Sequence, residues 1–451
     1  MQREWKFSVI RIISKEMPDA HGGSKMIRSR VPIRLWPLAT IFGGIVMFAQ
    51  STTVEAPAGF ETPTLVQNQG SKSVSNGIIE PPGDTFALDQ QSFEKPHDAE
   101  TGLGPVFNAR ACVDCHQNPV SGSAGQFTEV RVGHRDDNGN FVNPTVTIND
   151  GASSISARSI IDERATCPEA QEHIPATENV RTLRSVLSAL GDGFVEAIDD
   201  KTLLAIADQQ PVLSHNRIHG QAILVPVLEA PGTTRIGRFG WKDQHASLLS
   251  FSGDAYLNEM GVTNRLRPKD VTTVCKVSAD PEDTPDSLGM ADIDHFAQFL
   301  RGTKAPPRDE ALTKTPVASL GQKLFDEIGC SVCHVQSITT APAGTPLNGG
   351  TFIVPDALGN KIIHPFSDFL LHDIGTGDGI VQVGPQETAN KLRTSALWGL
   401  RTRTRFMHDL RSLTLNNAIL RHREEAEEVT KRFRKLDSTQ KAALLTFLNS
   451  L

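Results

Sequence analysis

A chain of 451 residues is longer than one ordinary hydrophobic core needs, so two or three domains are expected and there is ample material to bury. Its 45 Lys and Arg against 52 Asp and Glu leave a formal net charge of −7. The basic residues are dispersed and form no aromatic-interleaved stripe, which argues against nucleic acid as a partner.

In chain order, Arg28, Arg30 and Arg34 precede an apolar run from Leu35 to Ala49, followed by small and polar residues. That layout predicts a signal peptide within an amino-terminal extension over residues 1–50, and Met26 would be its conventional start. The run is short of the roughly 20 residues that a membrane span needs, so cleavage is the first reading and an uncleaved tether the second. Either way the body is expected outside the cytoplasm, periplasmic or otherwise exported, with membrane association through the amino-terminal segment left open. Residues 51–82, rich in Ser, Thr, Gly, Pro and Asn, read as a flexible linker.

Residues 83–302 form the first expected domain and contain Cys112-Val-Asp-Cys115-His116. Phe127 to Val132 alternates like a short strand, and Ile293, Phe296, Phe299 and Leu300 fall on one face of a helix. A Pro-bearing linker over 303–315 leads into the second domain, 316–451. There Val317, Leu320, Leu324, Phe325 and Ile328 predict a helix running into Cys330-Ser-Val-Cys333-His334. Asp437 and Gln440 predict a capped closing helix, with Leu444, Leu445, Leu448 and Leu451 as its apolar stripe. With so little alternation elsewhere, the expected fold is mainly α, with long loops.

A bare Cys-x-x-Cys also suits zinc or a redox dithiol. Histidine directly after the second cysteine instead marks covalent c-type haem attachment: two thiols add to the two vinyl groups, and the histidine becomes the proximal iron ligand. Two complete copies predict two covalent haems, on Cys112, Cys115 and His116 and on Cys330, Cys333 and His334. The other two cysteines, Cys167 and Cys275, are expected to form a structural disulfide, although neither has the Cys-x-x-Cys partner of a redox-active pair.

The segments Gly102–Cys112, Gly237-Arg-Phe-Gly-Trp-Lys242, Asn258-Glu-Met-Gly261 and Pro365–Gly375 resemble the bacterial dihaem oxidoreductases often labelled thiol oxidoreductases. These are similar in turn to the dihaem cytochrome c peroxidases and the dihaem enzyme of methylamine utilisation. The resemblance runs from about Pro82 to Leu451 and implies two cytochrome c-like domains with the haems near their interface. In such relatives the carboxy-terminal haem receives electrons from a small donor protein or quinol-linked cytochrome. The amino-terminal haem meets the oxidant, for which a peroxide is the expected small molecule.

By the same resemblance, Trp241 matches the tryptophan between the haems, and Glu259 the acid that shuttles a proton at the open iron. Phe251 departs from the peroxidase pattern, which has glutamine there. His422 stands at the offset of the second haem's distal ligand, with Met407 as rival, and His408 adjoins Met407. The single tyrosine, Tyr256, lies far from that segment. On the first haem's distal side His134, His173 and His245 stay open. His364 and His372 belong to a glycine-rich segment whose acids Asp368, Asp373 and Asp378 suit either calcium or a hydrogen-bonded loop. The expected activity is that of a peroxidase-like dihaem oxidoreductase. The alternatives are a non-catalytic dihaem electron carrier and a haem module docked into a larger exported complex.

Overall fold

The computed structural model describes residues 52–60 and 75–451. The apolar run Leu35–Ala49 and its preceding arginines lie outside the described residues. Among those described, no helix is long and apolar enough to cross a membrane.

Ten α-helices are present among the described residues: α1 (Phe86–Glu94), α2 (Asp192–Glu196), α3 (Asp200–Leu213), α4 (Leu248–Met260), α5 (Asp292–Gly302), α6 (Glu310–Thr313), α7 (Pro316–Ile328), α8 (Leu415–Leu420), α9 (Glu427–Lys435) and α10 (Ser438–Leu448). The larger core joins Phe86 and Phe93 of α1, Phe194 of α2, Leu248 and Tyr256 of α4, and Phe296, Phe299 and Leu300 of α5. It also takes in Ile338, Phe352, Leu358, Phe369 and Trp398 from the later part of the chain. A second core gathers Phe325 and Ile328 of α7 with Phe366, Phe433, Leu444, Phe447 and Leu451.

The expectation of a mainly α fold is corrected. Among the described residues the structure is 31% helix and 16% strand, with the strands in seven small sheets. Much of the strand lies between the first Cys-x-x-Cys-His and α3. There Thr128–Arg135 pairs antiparallel with Val180–Ser185, and also with Phe141–Val142 and Ile160–Ile161. Thr145–Ile148 alternates exposed and buried residues beside Ser154–Ser156. Most other strands are two or three residues long, too short for a period of two to emerge.

Cys167 and Cys275 form a disulfide with Cα atoms 6.3 Å apart, closing a loop across 108 residues. Buried ion pairs fix the loops. Glu196 is fully buried, and its carboxylate meets Arg301 Nε at 2.7 Å, the Leu248 amide at 2.9 Å and Asn348 Nδ2 at 2.9 Å.

On α7 the buried residues are Ala318, Gly321, Leu324, Phe325 and Ile328, whereas Val317 and Leu320 are exposed. Helix α10 explains the choice, because a Cβ on Gly321 would stand 2.0 Å from the Ala443 carbonyl oxygen. Small residues let the two backbones approach, and the larger apolar residues turn outward. Helix propensity alone favours Gly321→Ala by about 1 kcal/mol, but overpacking costs about 1–3 kcal/mol. Thermal unfolding should therefore show a lower Tm for Gly321→Ala; a higher one would mean that α7 and α10 are not in such close contact.

Candidate functional site

Both Cys-x-x-Cys-His segments fold the same way. Cys112–Asp114 and Cys330–Val332 are single 3-10 turns, and in each the histidine amide donates to the first cysteine's carbonyl at 3.0 Å. Asp114 closes the first turn by accepting from the Arg110 and Ala111 amides at 2.9 and 3.2 Å. Gly329, with φ 99°, ends α7 and turns the chain into the second, a left-handed conformation that glycine adopts without a Cβ penalty. None of these four cysteines is in a disulfide. Burial pushes the Cys115 and Cys330 thiols up to about 12.

The first turn opens into a cavity of about 660 Å³ lined by Cys112, Cys115, His116, Trp241, Phe251 and Glu259 among others. Phe93 of α1 meets the His116 ring edge-on at 6.1 Å. Burial lowers His116 to about 4, so its imidazole is neutral and its Nδ1 has no hydrogen-bond partner. Arg158, Arg184, Arg267 and Arg393 also line the cavity, each paired with a carboxylate. Volume, neutral imidazole and paired thiols fit a haem at this position.

Glu259 lies near the end of α4, its carboxyl facing Glu129 and Arg131 of the strand Thr128–Arg135. Burial raises it well above the usual carboxylate range, and the Glu129 charge and hydrogen bond raise it further. Burial also pushes Glu129 up, but the Arg131 guanidinium 2.5 Å away more than reverses this. The pair is thus a protonated Glu259 against an ionised Glu129. Sequence reasoning missed Glu129 and Arg131. The available signal was their spacing, since residues 129 and 131 of a strand share a face.

Trp241 lines the same cavity, and its indole N–H donates to the Ser185 carbonyl at 2.7 Å. Lys242 pins the segment, its Nζ donating to the carbonyls of Thr388, Ala389 and Lys391 at 2.6–2.9 Å. From Trp241 a bonded route leads to the second motif. Its carbonyl accepts from the Arg393 amide at 2.9 Å, Arg393 pairs with Leu371, and the next residue, His372, lies 3.9 Å from Cys333 Sγ. Phe251 stacks on Phe239 at 6.2 Å and tilts against His245 at 5.8 Å.

At the second motif, His334 Nδ1 is held by the Phe366 carbonyl at 3.0 Å, and Phe366 takes a φ of 52° to present it. His422 follows α8 with its Nδ1 on the Ala418 carbonyl at 2.9 Å. The two rings face each other with centroids 6.5 Å apart. Two imidazoles sharing one metal at bonds of about 2 Å hold their ring centres roughly 6 Å apart, so the pair fits one iron between two Nε2 atoms. Met407 takes a φ of 71°, and its neighbour His408 packs edge-on against Trp241 at 6.0 Å.

Of the three histidines open on the first side, His245 lines the cavity, with its Nε2 3.1 Å from Asp254. His134 pairs with Glu178 at 2.9 Å, and His173 with Asn149 at 2.6 Å. Tyr256 donates to Asp292 at 2.9 Å. His364 is exposed beside Glu55, while His372 is buried between Asp368 and Glu425 at 2.8 and 2.9 Å. Asp368, Asp373 and Asp378 have separate partners: Gln210 and His372, the Gly375 amide, and Arg184 with Lys242.

Among solved structures the chain is similar to hydrazine synthase of Kuenenia stuttgartiensis, at 13% identity and a TM-score of 0.35, over 88% of this chain and 99% of that one. It is also similar to a MauG-like protein associated with microbial copper homeostasis, at 19% identity and a TM-score of 0.24, over 36% of this chain and 52% of that one. No curated protein sequence matches it. The family model described as "Di-haem oxidoreductase, putative peroxidase" matches residues 176–451, which hold Trp241, Glu259, the second Cys-x-x-Cys-His and His422. The chain belongs to the di-haem oxidoreductase family.

Proposed function

We propose that this chain is an exported, peroxidase-like enzyme carrying two covalently attached c-type haems. The observation that carries the reading is Glu259, whose side chain lines the cavity that the first Cys-x-x-Cys-His also lines. The haems supply one-electron chemistry when bound, taken up from a small donor at the carboxy-terminal motif and delivered to a peroxide at the amino-terminal one.

The protein's own groups do the rest. Cys112, Cys115 and His116 hold the first haem, and Cys330, Cys333, His334 and His422 the second. Glu259 gives a proton to the departing peroxide oxygen, general acid work that a raised pKa suits. Once it has given the proton, its carboxylate faces ionised Glu129, and that repulsion drives it to take a proton back. Arg131 keeps Glu129 ionised throughout. His245 lines the same cavity with its Nε2 on Asp254 and its Nδ1 without a hydrogen-bond partner. The Cys167–Cys275 disulfide supports export, because such bonds persist in oxidising compartments. Calcium has no place in this reading, as Asp378 is already neutralised by Arg184 and Lys242.

A pyridine haemochrome assay on protein made with the haem-attachment machinery should give two haems per chain, and Cys112→Ala/Cys115→Ala should give one. A single haem in the intact protein would refute the first attachment site.

In stopped-flow mixing of half-reduced protein with peroxide, Glu259→Gln should slow oxidation by about 10²- to 10⁴-fold, with unchanged haem spectra. Equal rates in the two proteins would remove Glu259 from the chemistry.

A further inference from the structure

Two acids and a histidine that the functional reading does not use meet where α1 packs on α5, with the Glu80 carboxyl near enough to feel both acids. Glu80 and Asp84 precede α1, Asp89 lies in its first turn, and His295 belongs to α5. His295 Nδ1 lies 2.7 Å from Asp89 and 3.8 Å from Asp84, and one donor atom from each of the three falls within 4.8 Å of the others. The Asp84 and Asp89 side chains are 0% exposed and that of His295 is 7% exposed.

This cluster is not balanced as it stands. Both carboxyl oxygens of Glu80 are shut off from solvent without a hydrogen-bond partner, and Asp84 and Asp89 face each other with Oδ2 bonded to no group outside the cluster. A buried polar oxygen without a partner costs free energy, and within the cluster His295 reaches hydrogen-bond distance of Asp89 alone. A divalent cation would supply a partner for these oxygens.

We propose that Glu80, Asp84, Asp89 and His295 bind a divalent cation of the kind that accepts carboxylate oxygen together with imidazole nitrogen, Mn²⁺ or Zn²⁺. A hollow of about 670 Å³ that reaches His295 and half-exposed Asp286 gives the ion an entry path. The site also has a reason to be there. Phe93, one helical turn beyond Asp89, packs against His116, so an ion that clamps α1 to α5 steadies the wall behind the first motif.

The test uses the haem-loaded, full-length protein, stripped with EDTA and titrated calorimetrically with Mn²⁺, Zn²⁺ or Ca²⁺ alone, with bound metal counted by plasma mass spectrometry. Mn²⁺ or Zn²⁺ should bind at one ion per chain and raise Tm. Asp84→Asn/Asp89→Asn should abolish both effects. Glu80→Gln, which keeps the His295–Asp89 contact and so preserves the fold, should weaken binding at least about tenfold, the loss of one ligand costing upward of 1.4 kcal/mol. The proposal is overturned if neither ion binds, if Ca²⁺ alone binds, or if binding is unchanged in both variants. The last result would place the ion elsewhere, for instance among Asp270, Asp280 and Glu282.

Discussion

The fold depends on buried charges answered by more than one segment of chain. Glu196 is the clearest case, since its carboxylate joins the Arg301 guanidinium of α5, the first amide of α4 and the Asn348 side chain. Removing one partner of such a pair leaves an uncompensated charge, at a cost of about 3–5 kcal/mol, so every segment it touches is held in place. Arg238, also fully buried, does likewise, pairing with Asp200 and donating to the carbonyls of Ile198 and Ile236. A chain with long loops and two-residue strands needs anchors of this kind, because ladder hydrogen bonds are few.

The site inherits its geometry from these anchors. Arg184 and Lys242 converge on Asp378, which ties the inserted sheet and the Trp241 segment to the glycine-rich loop of the carboxy-terminal half. Helix α4 is fixed at its start by Glu196 and near its end by Glu259, whose carbonyl accepts from the Asn108 and Ala109 amides just ahead of the first motif. Glu259 is thereby held on both sides, with its carboxyl against the strand carrying Glu129 and its backbone against the loop carrying Cys112. Both contacts hold its carboxyl at the cavity.

Much of this chemistry was legible in the sequence because it is local. The Cys-x-x-Cys-His turns need only five adjacent residues, and α5 and α10 show their buried faces in Ile293, Phe296, Phe299, Leu444 and Leu448. The Asp437–Gln440 capping box was legible for the same reason. In the strand-rich insertion the alternation of Phe127 to Val132 showed the strand Thr128–Arg135, whereas half of the strands there are two residues long and carry no such pattern. On α7 the apolar pattern pointed to Val317 and Leu320, but packing selected Ala318 and Gly321, because the approach of α10 is set by backbone contact. The acid cluster at Asp89 and His295 was invisible for another reason: its members are 206 residues apart and carry no spacing rule.

The central claim is an asymmetry, in which one iron is closed by two histidines and the other keeps a face for substrate. Electron paramagnetic resonance of the oxidised protein tests it most directly. The account predicts one low-spin signal from the second haem, which turns high-spin in His422→Ala and not in Met407→Ala, beside one high-spin signal from the first. Two low-spin signals in the wild-type protein would contradict it and leave an electron carrier in its place.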